Sequence, residues 1–263
     1  MNEGPAAEPV LYEKIGQHVG LVTLNRPEKR NAVNPAMATA LEAIVRSTEA
    51  DTDIRAVILT SSDDRVFCAG ADLGAIASGT GKGIETSAGG FAGFVYAQRW
   101  KPWIAAVEGM ALGGGCELAL ACEMIVASEA ARFGLPEVKR GLLAAAGGVH
   151  RIGAVLPRNI ANELIATGEP LDAAGALRWG MVNRVTPPGE TVATARLLAE
   201  AIAANAPLAV QYSLQAARAS AAQPDGAGRT IVAERFAALR GTEDFKEGPR
   251  AFVEKRAPTW SGR

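Results

Sequence analysis

Trp103-Ile104-Ala105-Ala106-Val107, Gly113-Gly114-Gly115-Cys116-Glu117-Leu118 and Met124-Ile125-Val126-Ala127 follow one another in a single stretch of the sequence, and that stretch decides the fold. The first run is short and apolar and reads as a buried strand. Glycine loses the most backbone freedom on folding, so three in succession imply that another backbone or a ligand comes close. Residues 116–122 then read as a helix, and 124–127 as a strand again. Strand, glycine turn, helix and strand in this order predict an α/β core.

The same alternation extends outward. Val19–Leu24 reads as a strand ended by Asn25-Arg26-Pro27. Asn34 before Pro35 predicts a helix start, with Asn as cap and Pro at the first helical position. That helix is expected to reach about Ala50, with Met37, Leu41, Ile44 and Val45 on one face. Residues 54–60 form a β-branched run that reads as a buried strand. Residues 79–93 hold six glycines and are expected to form a mobile loop or a broken helix. Beyond about residue 157 the strand signals thin out. Helices are expected at 159–166, 172–179, 190–204, 207–220, 229–239 and 244–256. The predicted organisation is a loose tail at 1–9, an α/β core at 10–200 and a helical C-terminal region at 201–263.

Composition narrows the function. Of 263 residues, Lys and Arg number 27 and Asp and Glu 28, for a formal charge of −1, and aromatic residues are 5%. This leaves neither a basic surplus nor a set of stacking platforms for nucleic acid, nor a charge attraction to an anionic membrane. Residues 1–9 lack the basic start and apolar run of a signal peptide. The weakly charged stretch 104–122 is broken by Glu108, Glu117 and the glycines, a poor membrane span. Cys68, Cys116 and Cys122 include no Cys-x-x-Cys pair and predict free thiols in a reducing cytoplasm. With His18 and His150 alone, a histidine-rich metal site is not expected.

Three segments carry candidate chemistry. Phe67-Cys68-Ala69-Gly70-Ala71-Asp72-Leu73 turns through Gly70, and Asp72 is placed to cap a short helix. Such a turn leaves N–H groups free for a ligand oxygen, although an ordinary tight connection also accounts for it. Glu117 falls about one helical turn beyond Gly114, where the helix dipole alone would also favour a carboxylate. Glu137, in Phe133-Gly134-Leu135-Pro136-Glu137, sits in a loop or at a helix start, and a solvated first-turn glutamate is the plainer alternative. Taken together, two N–H donors from different helix starts can hold one carbonyl oxygen, and two carboxylates can hold one water. That set suits chemistry that builds negative charge on a thioester oxygen.

Other features point away from other chemistries. Gly79-x-Gly81-x-Gly83 with Lys82 lacks the Gly-Lys-Ser/Thr order of a phosphate loop. Cys68 and Cys116 have no neighbouring histidine to activate them and read as small buried residues. His150 has no Gly-x-Ser-x-Gly elbow to serve.

In its ordered motifs the sequence resembles the crotonase superfamily, the enoyl-CoA hydratase/isomerase family. The motifs are Asn25-Arg26-Pro27 with Asn31-Ala32, then Cys68-Ala69-Gly70-Ala71-Asp72-Leu73, then Ala111-Leu112-Gly113-Gly114-Gly115-Cys116-Glu117-Leu118-Ala119. Phe133-Gly134-Leu135-Pro136-Glu137, Gly147-Gly148, Ala176-Leu177-Arg178-Trp179-Gly180-Met181-Val182 and the ending Glu247 to Arg256 follow in the family's order. The resemblance covers residues 10–263. It implies a β-β-α superhelix with a helical C-terminal region packing in a homotrimer, often paired into a hexamer. It also implies that Ala71 and Gly114 form an oxyanion hole and that Glu117 and Glu137 are catalytic. Arg30, Ala32, Ala69, Asp72, Leu73, Gly113 and Ala145 would line the acyl-CoA site, with no metal or redox cofactor.

The activity this implies is reversible addition of water to a 2-enoyl-CoA thioester. An isomerase of the same fold and a non-catalytic acyl-CoA-binding protein are the alternatives. The ending from Glu247 to Arg263 is also similar to crotonobetainyl-CoA hydratases, the carnitine branch. One departure stands out: Ala144 and Ala145 occupy positions where many hydratases carry proline and glycine. Ala145 still offers an N–H that is expected to hold the water.

Overall fold

Trp103–Val107 forms a strand in which all five residues are buried, as its unbroken apolar character requires of a strand covered on both faces. The computed structural model describes residues 8–263; of the tail expected at 1–9, residues 1–7 lie outside the described residues. Pro9 is not loose, because its carbonyl accepts the Asn25 N–H at 2.8 Å.

In chain order the strands are β1 (Val10–Ile15), β2 (Val19–Leu24), β3 (Ala56–Ser61), β4 (Val66–Cys68), β5 (Glu85–Thr86) and β6 (Gly90–Phe91). They continue with β7 (Trp103–Val107), β8 (Met110–Leu112), β9 (Met124–Ser128), β10 (Arg132–Gly134), β11 (Leu171–Asp172) and β12 (Arg184–Thr186). The helices are α1 (Pro35–Ala50), α2 (Leu73–Ala77), α3 (Gly114–Ala121), α4 (Gly148–Val155) and α5 (Arg158–Thr167). After these come α6 (Ala173–Arg178), α7 (Thr191–Ala203), α8 (Pro207–Ser220), α9 (Asp225–Arg240) and α10 (Glu243–Val253).

Two sheets organise the core. One has the order β1-β2-β3-β7-β9-β12, the other β11-β10-β8-β4. The strand pairs β3 with β4, β7 with β8, and β9 with β10 each give one member to the first sheet and the next to the second. Within each sheet these strands are parallel neighbours in sequence order. The chain therefore winds as a superhelix of strand-strand-helix turns, with α2 closing the β3-β4 turn and α3 closing the β7-β8 turn. This is the α/β, crotonase-type fold that the resemblance implied.

The first sheet is covered on both sides. Ala195, Ala199 and Ala203 of α7 pack over Val19, Ala56, Ile58, Ile104, Ala106 and Val126. Small alanines let the helix lie close to the branched side chains of the strands. On the other face, Met37, Leu41 and Val45 of α1 join Val57, Leu59, Ala105 and Phe133 in the larger core. Each fully buried branched side chain there contributes on the order of 1.5–3 kcal/mol.

Two expectations at the level of elements meet a definite outcome. Asn34 caps α1 by accepting the Met37 N–H at 2.9 Å. The glycine-rich stretch 79–93 contains the short hairpin β5-β6, pairing Glu85 with Phe91 and Thr86 with Gly90, and not a broken helix. Some of its glycines serve close approach as well as a left-handed backbone: Gly93 has φ +65, and a Cβ on it would lie 2.6 Å from the Ala38 carbonyl oxygen of α1.

Candidate active site

The site grows from the start of α3. Gly113 precedes the helix at φ +55 and ψ −126, a conformation open only to glycine, and a Cβ there would stand 3.1 Å from Glu137 Oε1. Gly114 is the first helical residue, so its N–H has no carbonyl within the helix to bond. A Cβ on Gly114 would sit 2.5 Å from the Phe91 ring, and one on Gly115 would run into the Cys68 carbonyl. The glycine triplet thus lets α3 nest against the end of β4. That strand is irregular as well: its register against β8 shifts between Val66 and Cys68, a distortion of the kind that re-aims a strand end.

The second donor comes from the turn after β4. Val33 bridges Ala71 in parallel: the Val33 N–H donates to the Gly70 carbonyl at 2.8 Å, and the Asp72 N–H donates to the Val33 carbonyl at 2.9 Å. A parallel bridge of this kind engages the groups on either side of Ala71 and turns its own N–H the other way. Among the described residues, neither the Ala71 nor the Gly114 N–H finds an intramolecular backbone acceptor. Gly70 adopts φ +93, and a Cβ on it would lie 3.0 Å from the Gly114 nitrogen. The two unengaged amides therefore belong to abutting turns.

Glu117, one turn into α3, is 3% exposed. Its Oε1 accepts the Gly148 N–H at 2.8 Å. Burial pushes its carboxyl up to about 7; the Gly148 amide pulls it back, the negative Glu137 adds to the rise, and the Ala146 amide and Arg151 oppose it. Glu137 stands in the first turn of a short 3-10 helix, Pro136–Arg140. Burial raises its pKa too, against the pull of its own amide and of Arg140. Its Oε2 is buried without a hydrogen-bond partner among the described residues, an arrangement that awaits a further group. Both carboxylates also act on Cys116, whose thiol is pushed up first by burial and then by Glu117 and Glu137. Two carboxyls with raised pKa beside two free amides can trade protons around a polarised carbonyl.

The remaining expected site residues lie on the segments 30–33 and 69–73 and in the turn at 145. The Ala69 N–H donates to the Arg30 carbonyl at 3.1 Å, and Arg30 is exposed at φ +53. Arg26 Nη1 donates to the Ala32 carbonyl and to Asp72 Oδ2, tying these two together. Asp72 also caps α2 by accepting the Ala75 N–H at 3.1 Å, so its carboxylate is already engaged. Leu73 is 48% exposed. One expectation is corrected: the Ala145 N–H donates to the Leu143 carbonyl at 2.8 Å and is not free to hold a water. Gly148, whose amide does face the glutamate, was legible only as part of the Gly147-Gly148 motif.

Two hollows of about 750 and 650 Å³ are lined by other residues. Their charged groups are largely engaged, Arg196 with Glu200 in the first and Glu49 with the N–H groups of Trp100 and Lys101 in the second. The nearness of unengaged donors to two carboxyls of raised pKa, rather than cavity size, marks the site. Among the described residues, no group of three or more His, Cys, Asp or Glu is placed to hold a metal ion. No described helix is long and apolar enough to cross a membrane.

The model of the enoyl-CoA hydratase/isomerase family matches residues 14–263. The chain belongs to this family. It is 41% identical over 247 residues to a carnitinyl-CoA dehydratase of Salmonella typhi, covering 92% of this chain and 94% of that one. Among solved structures of the family, an enoyl-CoA hydratase from Mycobacterium marinum is 40% identical with a TM-score of 0.92, over 97% of this chain and 100% of that one. A carnitinyl-CoA hydratase from Mycobacterium avium is 47% identical with a TM-score of 0.79, over 98% of this chain and 100% of that one. The chain is accordingly an enzyme of this hydratase and dehydratase type, a carbon-oxygen lyase.

Proposed function

We propose that the chain adds water reversibly across the Cα=Cβ bond of a 2-enoyl-CoA thioester, with Ala71, Gly114, Glu117 and Glu137 carrying the chemistry. The observation that carries this reading is the abutment of the Gly70-Ala71 and Gly113-Gly114 turns beside the buried Glu117 and the half-buried Glu137, whose Oε2 is itself enclosed. The Ala71 and Gly114 N–H groups donate to the thioester oxygen, drawing electron density toward it and leaving Cβ electrophilic. Ionised Glu117 accepts a proton from water as its oxygen bonds to Cβ. The two coupled carboxyls share one proton, and the form with it on Glu137 delivers it to Cα as the enolate collapses. The two carboxyls have then exchanged protonation states, and proton exchange with solvent resets them. Run backward, the same groups eliminate water. The steps draw only on the chain's own donors and the water, with no cofactor.

Arg30, Ala32, Ala69, Asp72, Leu73, Gly113 and Ala145 border the route for the CoA and acyl portions in this reading. We also place the enzyme in the cytoplasm, consistent with three free, buried thiols. Its assembly is a homotrimer or a pair of trimers, supported by apolar side chains left exposed on α7, α9 and α10.

The test is hydration of crotonyl-CoA, followed by loss of the enoyl ultraviolet absorbance in ¹⁸O-enriched water. A hydratase incorporates the label into product. An isomerase shifts a double bond without incorporating it, and a mere binder turns nothing over. Glu117→Gln is expected to lower kcat by about 10²–10⁴, the usual contribution of a general acid or base. Near-wild-type turnover by this variant would rule the mechanism out. Hydration of crotonobetainyl-CoA is a second reading, favoured by the 47% identity to the Mycobacterium avium carnitinyl-CoA hydratase. Comparing kcat/KM for crotonyl-CoA and crotonobetainyl-CoA separates the two.

A further inference from the structure

The turn that carries Gly148 to Glu117 is held from behind by two side chains outside the reaction. Arg151, in the first turn of α4, donates from Nη2 to the Val95 carbonyl at 2.6 Å and from Nη1 to the Ala146 carbonyl at 3.3 Å. Its guanidinium carbon lies 5.3 Å from the centroid of the Tyr96 ring. The Tyr96 hydroxyl in turn donates to the Ala145 carbonyl at 3.1 Å. Gly147 has φ +101, and a Cβ there would collide with the Arg151 guanidinium, so this glycine makes room for the arginine. We propose that Arg151 is a positioning residue which, with Tyr96, latches residues 144–148 to the 95–96 segment and so aims the Gly148 N–H at Glu117.

The need for such a latch follows from the sequence of the turn. Ala144 and Ala145 impose none of the φ restriction that a proline would bring. The turn's internal bonds, Ala145 N–H to Leu143 and Val149 N–H to Ala144, are local and do not fix it against the rest of the protein. The carbonyls of Ala145 and Ala146 are instead tied to Tyr96 and Arg151, whose own segment runs into the buried Phe94. An error of about 1 Å in such a support can cost on the order of 10²-fold in rate.

The electrostatics run the same way. The charged groups acting on Glu117 are Glu137 from the 3-10 turn and Arg151 from α4. Those acting on Arg151 are Tyr96, Arg99, Glu117 and Cys122. Glu137 raises the Glu117 pKa, whereas Arg151 and the Gly148 amide lower it. Removing the arginine deletes a nearby cation and loosens the amide, and both changes favour the protonated acid.

The inference rests on the catalytic role given to Glu117 above, and its test has two arms. In the first, full-length protein labelled with ¹³C at glutamate carboxyls is titrated by NMR, the Glu117 signal being the one missing from Glu117→Gln. Arg151→Gln is expected to raise its midpoint by about half a pH unit or more, and Arg151→Lys to return it part of the way. In the second, hydration is assayed across pH. Arg151→Gln is expected to lower kcat by about tenfold with KM within about twofold, and to move the acid limb of kcat/KM upward by the NMR shift. Tyr96→Phe keeps the cation and is expected to lower kcat with a smaller midpoint change, and it decides the matter if Arg151→Gln does not fold. An unchanged midpoint, or a raised KM at constant kcat, overturns the latch. Wild-type protein that hydrates no enoyl-CoA instead overturns the functional reading, while the NMR titration still tests the latch.

Discussion

Gly114 has no room for a side chain. A methyl group there would meet the Phe91 ring at 2.5 Å and the Gly70 Cα at 3.3 Å, and relief would move the amide that the proposed mechanism aims at the thioester oxygen. Gly114→Ala is therefore expected to lower kcat by about 10²–10³, the usual loss for one oxyanion donor, with circular dichroism unchanged. In the proposed mechanism Glu117 sets the pH dependence. Hydration needs it ionised, so kcat/KM for crotonyl-CoA should fall as pH drops below about 7. Stability should move oppositely. The folded state holds this proton more tightly than the unfolded chain, so the stabilisation is complete below the unfolded value and is lost as pH rises through about 7. Urea unfolding at pH 4.5 and 8 should show the wild type losing up to roughly 3 kcal/mol relative to Glu117→Gln. An equal pH dependence in both proteins would contradict the raised pKa. The sequence made Glu117 legible as one turn beyond Gly114. It gave no sign that Gly70 abuts Gly114, because that contact joins turns far apart in the chain.

Among the elements, α1 was the most legible, since Asn34-Pro35 marks its start and the spacing of Met37, Leu41 and Val45 marks its buried face. Asn34→Ala removes the side-chain acceptor of the Met37 N–H and should cost about 1 kcal/mol in chemical denaturation. kcat should stay unchanged, because the cap does not touch the glutamates. The strands β8, β10, β11 and β12 were not legible: none exceeds three residues, too few to display an alternating pattern. The glycines of 79–93 misled for a different reason. Composition reports where a side chain is missing, but not whether freedom or close packing removed it. Gly90 and Gly93 combine both causes: each has φ +65, and a Cβ would meet the Tyr96 ring at 2.5 Å in the first and the backbone of α1 in the second.

Across the whole molecule, the alternation of strands and helices announced an α/β core, but the sharing of consecutive strands between two sheets followed only from the family resemblance. Spacing alone does not say which sheet a three-residue strand joins. The C-terminal helices carry a second molecular-scale signal. Phe252 and Val253 are 85% and 79% exposed, and Val232 and Phe236 of α9 are half exposed. A surface of this kind on an isolated chain favours association. Light scattering after size exclusion should find an oligomer, and the double variant Phe252→Ser with Val253→Ser should shift it toward monomer. A wild-type chain that stays monomeric at assay concentration would remove the trimer from the functional reading.

The nesting of α3 on β4 also makes the protein its own reporter. Cys68 and Cys116 flank that seam, both wholly buried, and burial pushes the Cys68 thiol up to about 12. Neither sulfur is a competent nucleophile while the seam is shut. Iodoacetamide should reach them only in moments when the helix lifts from the strand, so their alkylation rate works as a clock for breathing at the catalytic end, readable with no thioester in the tube.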